Sequence, residues 1–177
     1  RFTRRSCPIL TLALINELKE RVMPHSCRLR KGRVSSAGQY YAITICCKNK
    51  TAIFNNLAVN QLVIREIYHL EQDNIIKLIA YTLMPDHLHL LFQLKDVCSL
   101  SDTIKSLKGK IATKLRTMNV RQLWQKGFYD TCILHNTMLK NQARYIVANP
   151  LRAGLAKQIG DYPYWNCIYL SNGIGDL

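Results

Sequence analysis

No stretch of about 18 consecutive apolar residues occurs in this 177-residue chain, so no membrane-spanning helix is expected. No small-residue cleavage site follows the apolar segment Pro8 to Leu18, and Asn16 and Glu17 interrupt it. The basic start, Arg1 to Arg5, therefore does not make a secretory signal. The seven cysteines (Cys7, Cys27, Cys46, Cys47, Cys98, Cys132 and Cys167) contain no C-x-x-C pair, and their number is odd. That argues against a disulfide framework and a zinc ribbon, and it reads as reduced thiols in a cytoplasmic protein. No internal repeat or low-complexity tract is evident. Acid is scarce, with 11 Asp and Glu against 25 Lys and Arg, a formal net charge of +14. Such an excess points to a polyanionic partner, either nucleic acid or an anionic membrane surface. What the chain does have is apolar material. At 48% hydrophobic residues it can bury a real core, and its length suits one domain with a terminal extension.

Residues 1–38 are the extension: basic, with a short helix expected near 9–22, and readable either as an arm lying on DNA or as a solvated tail. Lys31-Gly32-Arg33 then leads as a basic turn into a strand over 40–47, rich in Tyr, Ile and Thr. Leu57, Val59, Leu62, Val63, Ile67 and Leu70 recur at helical spacing, which predicts an amphipathic helix over 57–72. Strands follow at 75–83 and 87–94, then a helix over 101–118 capped by Ser101 or Asp102. One face of that helix is cationic, with Lys105, Lys108, Lys110, Lys114 and Arg116, and reads as a solvated face or a surface for a nucleic-acid strand. A strand at 127–134 and a helix at 137–149, ended by Pro150, complete the order. Asp161 to Trp165 reads as a packing tail. The order β-α-β-β-α-β predicts an α+β, ferredoxin-like domain over 39–177. It would have a four-stranded antiparallel sheet, helices packed on one face, and an added C-terminal helix docked on the open face.

The chemistry-bearing residues fall in two places. His87 and His89 are two apart in a strand, so both point to one face while Leu88, Leu90 and Phe92 point to the other. Two imidazoles side by side can hold one divalent cation; they can also be two unrelated histidines near a strand end. Downstream, Tyr145 and Asn149 are four apart and share a helix face. A phenol beside an amide oxygen can serve as nucleophile and metal ligand, or as a packed tyrosine and a C-cap. Trp124 and Gln125 are candidates to stack on or contact single-stranded bases.

Three segments together, Met84-Pro85-Asp86-His87-Leu88-His89, Leu123 to Asp130, and Tyr145-Ile146-Val147-Ala148-Asn149-Pro150-Leu151-Arg152-Ala153-Gly154-Leu155, resemble the single-tyrosine HUH transposases. The resemblance is closest to the REP-associated tyrosine transposases and runs from about Gly32 to Tyr164. It implies the HUH fold and a Mg²⁺ or Mn²⁺ ion held by His87, His89 and Asn149. It also implies in-line attack by the Tyr145 hydroxyl, leaving a 5′-phosphotyrosine and a free 3′-hydroxyl. The implied substrate is single-stranded DNA beside a hairpin, met by Arg33, Lys105, Lys108, Trp124, Gln125 and Arg152. Relatives act as monomers or as homodimers that exchange helices, and a cytoplasmic, nucleoid-associated protein is expected. The family usually has a histidine just after the residue matching Asp130; Thr131 stands there in this chain. Three rival readings remain: a non-catalytic hairpin binder, a metal-dependent hydrolase using water, and a nickase of the replication-initiator or relaxase type.

Overall fold

Leu88, Leu90, Phe92 and Leu94 lie in one strand, alternate with His87, His89 and Gln93, and are almost fully buried. That strand, β3 (His87–Leu94), is the centre of the molecule. The structure is a computed structural model that describes residues 35–171. The expected helix near 9–22 and Arg33 lie outside the described residues.

The elements run β1 (Tyr40–Cys46), α1 (Leu57–Gln72), β2 (Ile76–Met84), β3, α2 (Leu100–Arg116), β4 (Tyr129–Ile133), α3 (Asn136–Val147), α4 (Asn149–Arg152), β5 (Trp165–Cys167) and α5 (Ile168–Ser171). The strands form one sheet in the order β4-β1-β3-β2-β5, every neighbouring pair antiparallel. The fold is therefore α+β, as the sequence order predicts, with one strand more than expected. Trp165 to Cys167 does not merely pack; it pairs with β2 as an edge strand.

Two apolar cores sit on the two faces. On one, α1 buries Val59, Val63, Ile67 and Leu70, and α2 buries Ile104, Leu107, Ile111 and Leu115, against Leu88, Leu90 and Phe92. Fully burying each such leucine stabilises the fold by about 1.5–3 kcal/mol. Both helices begin at side-chain caps. Asn56 accepts from the amides of Ala58 and Val59. Ser99 accepts from the amide of Asp102, so the cap of α2 is Ser99 rather than Ser101 or Asp102. Glu66, 2% exposed, ties α1 to α2 through Lys114 at 2.5 Å. Burial raises its carboxyl pKa, but Lys114 and His69 outweigh burial and hold it below the ordinary value.

The other face carries α3. Here the row Ala42, Leu91, Ala80 runs across three strands, and the small alanines let a helix approach closely. Leu139, Ala143, Ile146 and Val147 of α3 pack there with Ile79 and Ala80. A bulge in β2 puts both Ile79 and Ala80 opposite Leu91 and on this face. Thus α1 and α2 share one face and the C-terminal helix occupies the face onto which His87 and His89 open.

Candidate active site

The histidines are placed by the pleat and by their strand partners. Antiparallel register sets His89 between Thr44 of β1 and Thr82 of β2, and His87 between Cys46 and Met84. Directly opposed residues share a face, so Thr44, His89 and Thr82 form one row. A two-residue turn, Pro85-Asp86, brings the chain back into β3 immediately before His87. Its carbonyls are held by the amides of Phe54 (2.9 Å) and Cys47 (2.8 Å), which fixes the turn.

Each imidazole is oriented through Nδ1. His87 Nδ1 lies 2.5 Å from Asp86 Oδ1 and donates to it; His89 Nδ1 lies 2.9 Å from Thr44 Oγ1. The two Nε2 atoms then converge to 3.0 Å, with the rings edge to face at 89°. Thr44 can either donate or accept. When Thr44 donates to His89 Nδ1, His89 Nε2–H donates to His87 Nε2 and the network is complete without an ion. When His89 Nδ1–H donates to Thr44, both Nε2 lone pairs face one point. A separation of 3.0 Å is about that of two adjacent ligands at ~2.1 Å on an octahedral cation. The pair therefore fits a divalent ion, and the Asp86 and Thr44 bonds are the outer contacts that orient histidine ligands. Burial, then the neighbouring His87 and Arg152, push the His89 pKa down to about 3 and keep it neutral, as a ligand must be. Among the described residues no group of three or more His, Cys, Asp and Glu side chains gathers as a ligand set, so further ligands would come from an amide, water or substrate.

Tyr145 stands in the last turn of α3, and that turn is fastened beside His89. Thr82 Oγ1 donates to the carbonyl of Ile146 at 2.9 Å. Tyr145 and His89 line one narrow cleft, with Thr44, Gln142 and Tyr129. The helix breaks after Val147, two residues sooner than Pro150 suggests. Pro150 instead opens α4, and Gly154, at φ +69°, closes it with the Leu155 amide bonded to the Pro150 carbonyl at 2.9 Å. This single bracketed turn sets the Arg152 guanidinium 4.2 Å from the Tyr145 ring centroid. Asn149 is not the C-cap of α3; that is Ala148. The Asn149 Nδ2 donates to the carbonyls of Tyr145 (3.0 Å) and Ile146 (3.1 Å), which commits the amino end of the amide to the helix and not to the histidines.

The four residues His87, His89, Tyr145 and Arg152 thus meet on one face, although Tyr145 is far along the chain. The matching family is the one described as Transposase IS200 like, over residues 35–149. The chain belongs to the IS200-like transposase family. A REP-associated tyrosine transposase of Escherichia coli is 23% identical over 105 residues, 59% of this chain and 62% of that protein. A putative REP-associated tyrosine transposase of Haemophilus influenzae is 26% identical over 140 residues, 72% of this chain and 78% of that protein. A solved REP-associated tyrosine transposase bound to a REP hairpin superposes with TM-score 0.68 at 18% identity, covering 81% of this chain and 86% of that one. The last of these speaks for the fold.

Within this transposase the other expected contact residues are scattered. Lys105 is exposed on α2, and the sheet stands between it and the histidines. Lys108 donates to the carbonyls of Gln125 (2.8 Å) and Gly127 (2.7 Å) and so anchors the 122–127 loop. Trp124 is committed to the protein: its indole N–H donates to the Lys108 carbonyl at 3.0 Å, and its ring packs on Phe54. Gln125 stays exposed. It borders an open cleft with Lys48, Lys50 and Lys126, next to the end of β1 that pairs with His87. The one trace of this cleft in the sequence is the basic triplet Lys48-Asn49-Lys50. Among the described residues no helix is long and apolar enough to cross a membrane.

Proposed function

We propose that this transposase cleaves and rejoins single-stranded DNA beside a hairpin through a covalent bond to Tyr145. The observation that carries the reading is the convergence of two Nε2 atoms at 3.0 Å on a face shared with Tyr145 and Arg152. His87 and His89 would hold Mg²⁺ or Mn²⁺, with the Asn149 amide oxygen as a third ligand. Such an ion, when bound, polarises the scissile phosphate and offsets its developing charge. The chain's own part is to aim the phenol. Tyr145 Oη forms a bond to phosphorus while the bond to the 3′ oxygen breaks. The phenol proton leaves to solvent, and the 3′ oxygen takes one up. One phosphodiester replaces another, so the step is near thermoneutral and reversible, which suits strand transfer without an energy source. The basic cleft of Lys48, Lys50 and Lys126 offers the strand a path to His87 by neutralising phosphates. The REP hairpin bound by the structural relative supports hairpin DNA as substrate.

The test is labelled hairpin DNA incubated with protein and Mg²⁺ or Mn²⁺. Cleavage with an equal yield of protein-linked 5′ ends supports the proposal; binding without cleavage, or free 5′-phosphate ends, would favour the rival binder or hydrolase.

Two further outcomes follow from the geometry. Thr44→Val removes the hydroxyl that lets His89 turn Nε2 toward an ion. Mn²⁺ affinity, measured by calorimetry, should fall by about 10–100-fold, and an unchanged affinity would remove Thr44 from that role. Because α3 packs on its own sheet, the chain should act in cis, as a monomer or as a homodimer without exchanged helices. A mixture of His87→Ala and Tyr145→Phe should stay inactive. Restored adduct in the mixture would show helices exchanged between chains.

A further inference from the structure

The strongest unexplained feature of the site is Arg152. Its Nε and Nη1 are buried, yet neither has a hydrogen-bond partner among the described residues. Buried charged donors without partners are costly, and folds keep them where a ligand completes them. The guanidinium lies over the Tyr145 ring at 4.2 Å, and its charge is close enough to His89 to disfavour protonation there. The Arg152 backbone lies in a turn bracketed by Pro150 and Gly154. The residue lies three positions beyond the end of the family match at Asn149.

We infer that Arg152 is a catalytic residue whose guanidinium, with Nε and Nη1 unpartnered, grips two non-bridging oxygens of the phosphate that Tyr145 attacks. This rests on the proposed phosphotyrosine chemistry and assigns that site a clamp. A guanidinium presents two parallel donors, at the spacing of two phosphate oxygens, along its Nε–Nη2 edge or its Nη1–Nη2 edge, so either unpartnered atom forms the fork together with Nη2. During in-line attack charge spreads onto those oxygens, and donors already aimed there stabilise the transition state more than the ground state. The stacked ring keeps nucleophile and clamp in register. A lysine could supply charge but not the fork.

The clamp makes free and loaded protein respond oppositely to one substitution. Arg152→Met keeps much of the apolar stem and removes the orphan charge. The free protein should melt at or above the wild-type temperature. Inorganic phosphate should raise the melting temperature of the wild type and not of Arg152→Met. At saturating hairpin DNA, single-turnover adduct formation should fall by about 10²–10³-fold in Arg152→Met, with Arg152→Lys recovering only part. An adduct rate within about threefold of wild type, or full recovery by lysine, would overturn the clamp. So would a large fall in melting temperature with no difference in phosphate response, which marks a structural arginine. If the wild type itself forms no adduct, the phosphotyrosine reading fails, and the phosphate-dependent melting still decides whether Arg152 is an anion site.

Discussion

Tyr145→Phe is expected to abolish the protein–DNA adduct and to slow hairpin cleavage by about 10³-fold or more, since it deletes the attacking oxygen and nothing else. The ring stays. Its packing against the second core and under Arg152 is made by carbon atoms that phenylalanine retains. Stability should therefore shift by no more than about 0.5 kcal/mol, the range of a substitution that touches no core contact. DNA affinity should hold for the same reason. Thermal melting and a binding titration on the same preparation separate chemistry from folding. Adduct at wild-type yield in the phenylalanine variant would dismiss Tyr145 as nucleophile.

The second large effect belongs to the histidines. His87→Ala or His89→Ala should each reduce cleavage by about 10³-fold or more. Losing the cation's charge stabilisation is worth several kcal/mol, and each ~1.4 kcal/mol is tenfold. The two substitutions should differ in stability. His87 sits at the mouth of the strand beside the Pro85-Asp86 turn, where Asp86 can bond water once the ring is gone. His89 lies mid-row between Thr44 and Thr82, and its removal leaves the Thr44 hydroxyl without its partner. His89→Ala should thus cost about 1–3 kcal/mol of stability and His87→Ala less. Denaturant titration checks the order. Cleavage at the wild-type rate in either folded variant would reject that histidine as a ligand.

Much of this arrangement was legible from local pattern. Strand alternation alone put His87 and His89 on one face and Leu88, Leu90 and Phe92 on the other, and helical spacing fixed α1 at Leu57–Gln72. What was not legible depends on register or on unusual backbone. Which residue orients His89 follows from the pairing of β1 with β3, and nothing in the sequence near Thr44 announces it. The basic cleft relies on Asn49 and Lys50 at φ of 53° and 52°; asparagine favours this left-handed conformation, but lysine does not advertise it. In sequence Pro150 reads as a stop because proline ends helices, yet it equally starts them. Only the Gly154 closure four residues on distinguishes the two readings. In sequence Trp124 reads as a candidate to stack on bases because an aromatic beside charge suits single strands. In the fold its indole N–H donates to the Lys108 carbonyl and its ring packs against Phe54. β5, three residues long, is too short for any period to show.

Sequencing the attachment point is the most direct trial of the account. Wild-type protein, Mn²⁺ and a hairpin substrate labelled on the strand 5′ to 3′ across the expected break would be digested and the nucleotide-bearing peptide identified by mass spectrometry. A phosphodiester on Tyr145, matched by an equal amount of free 3′-hydroxyl ends, is the predicted result. Nucleotide on any other side chain, or clean 5′-phosphate ends with no protein attached, would contradict it.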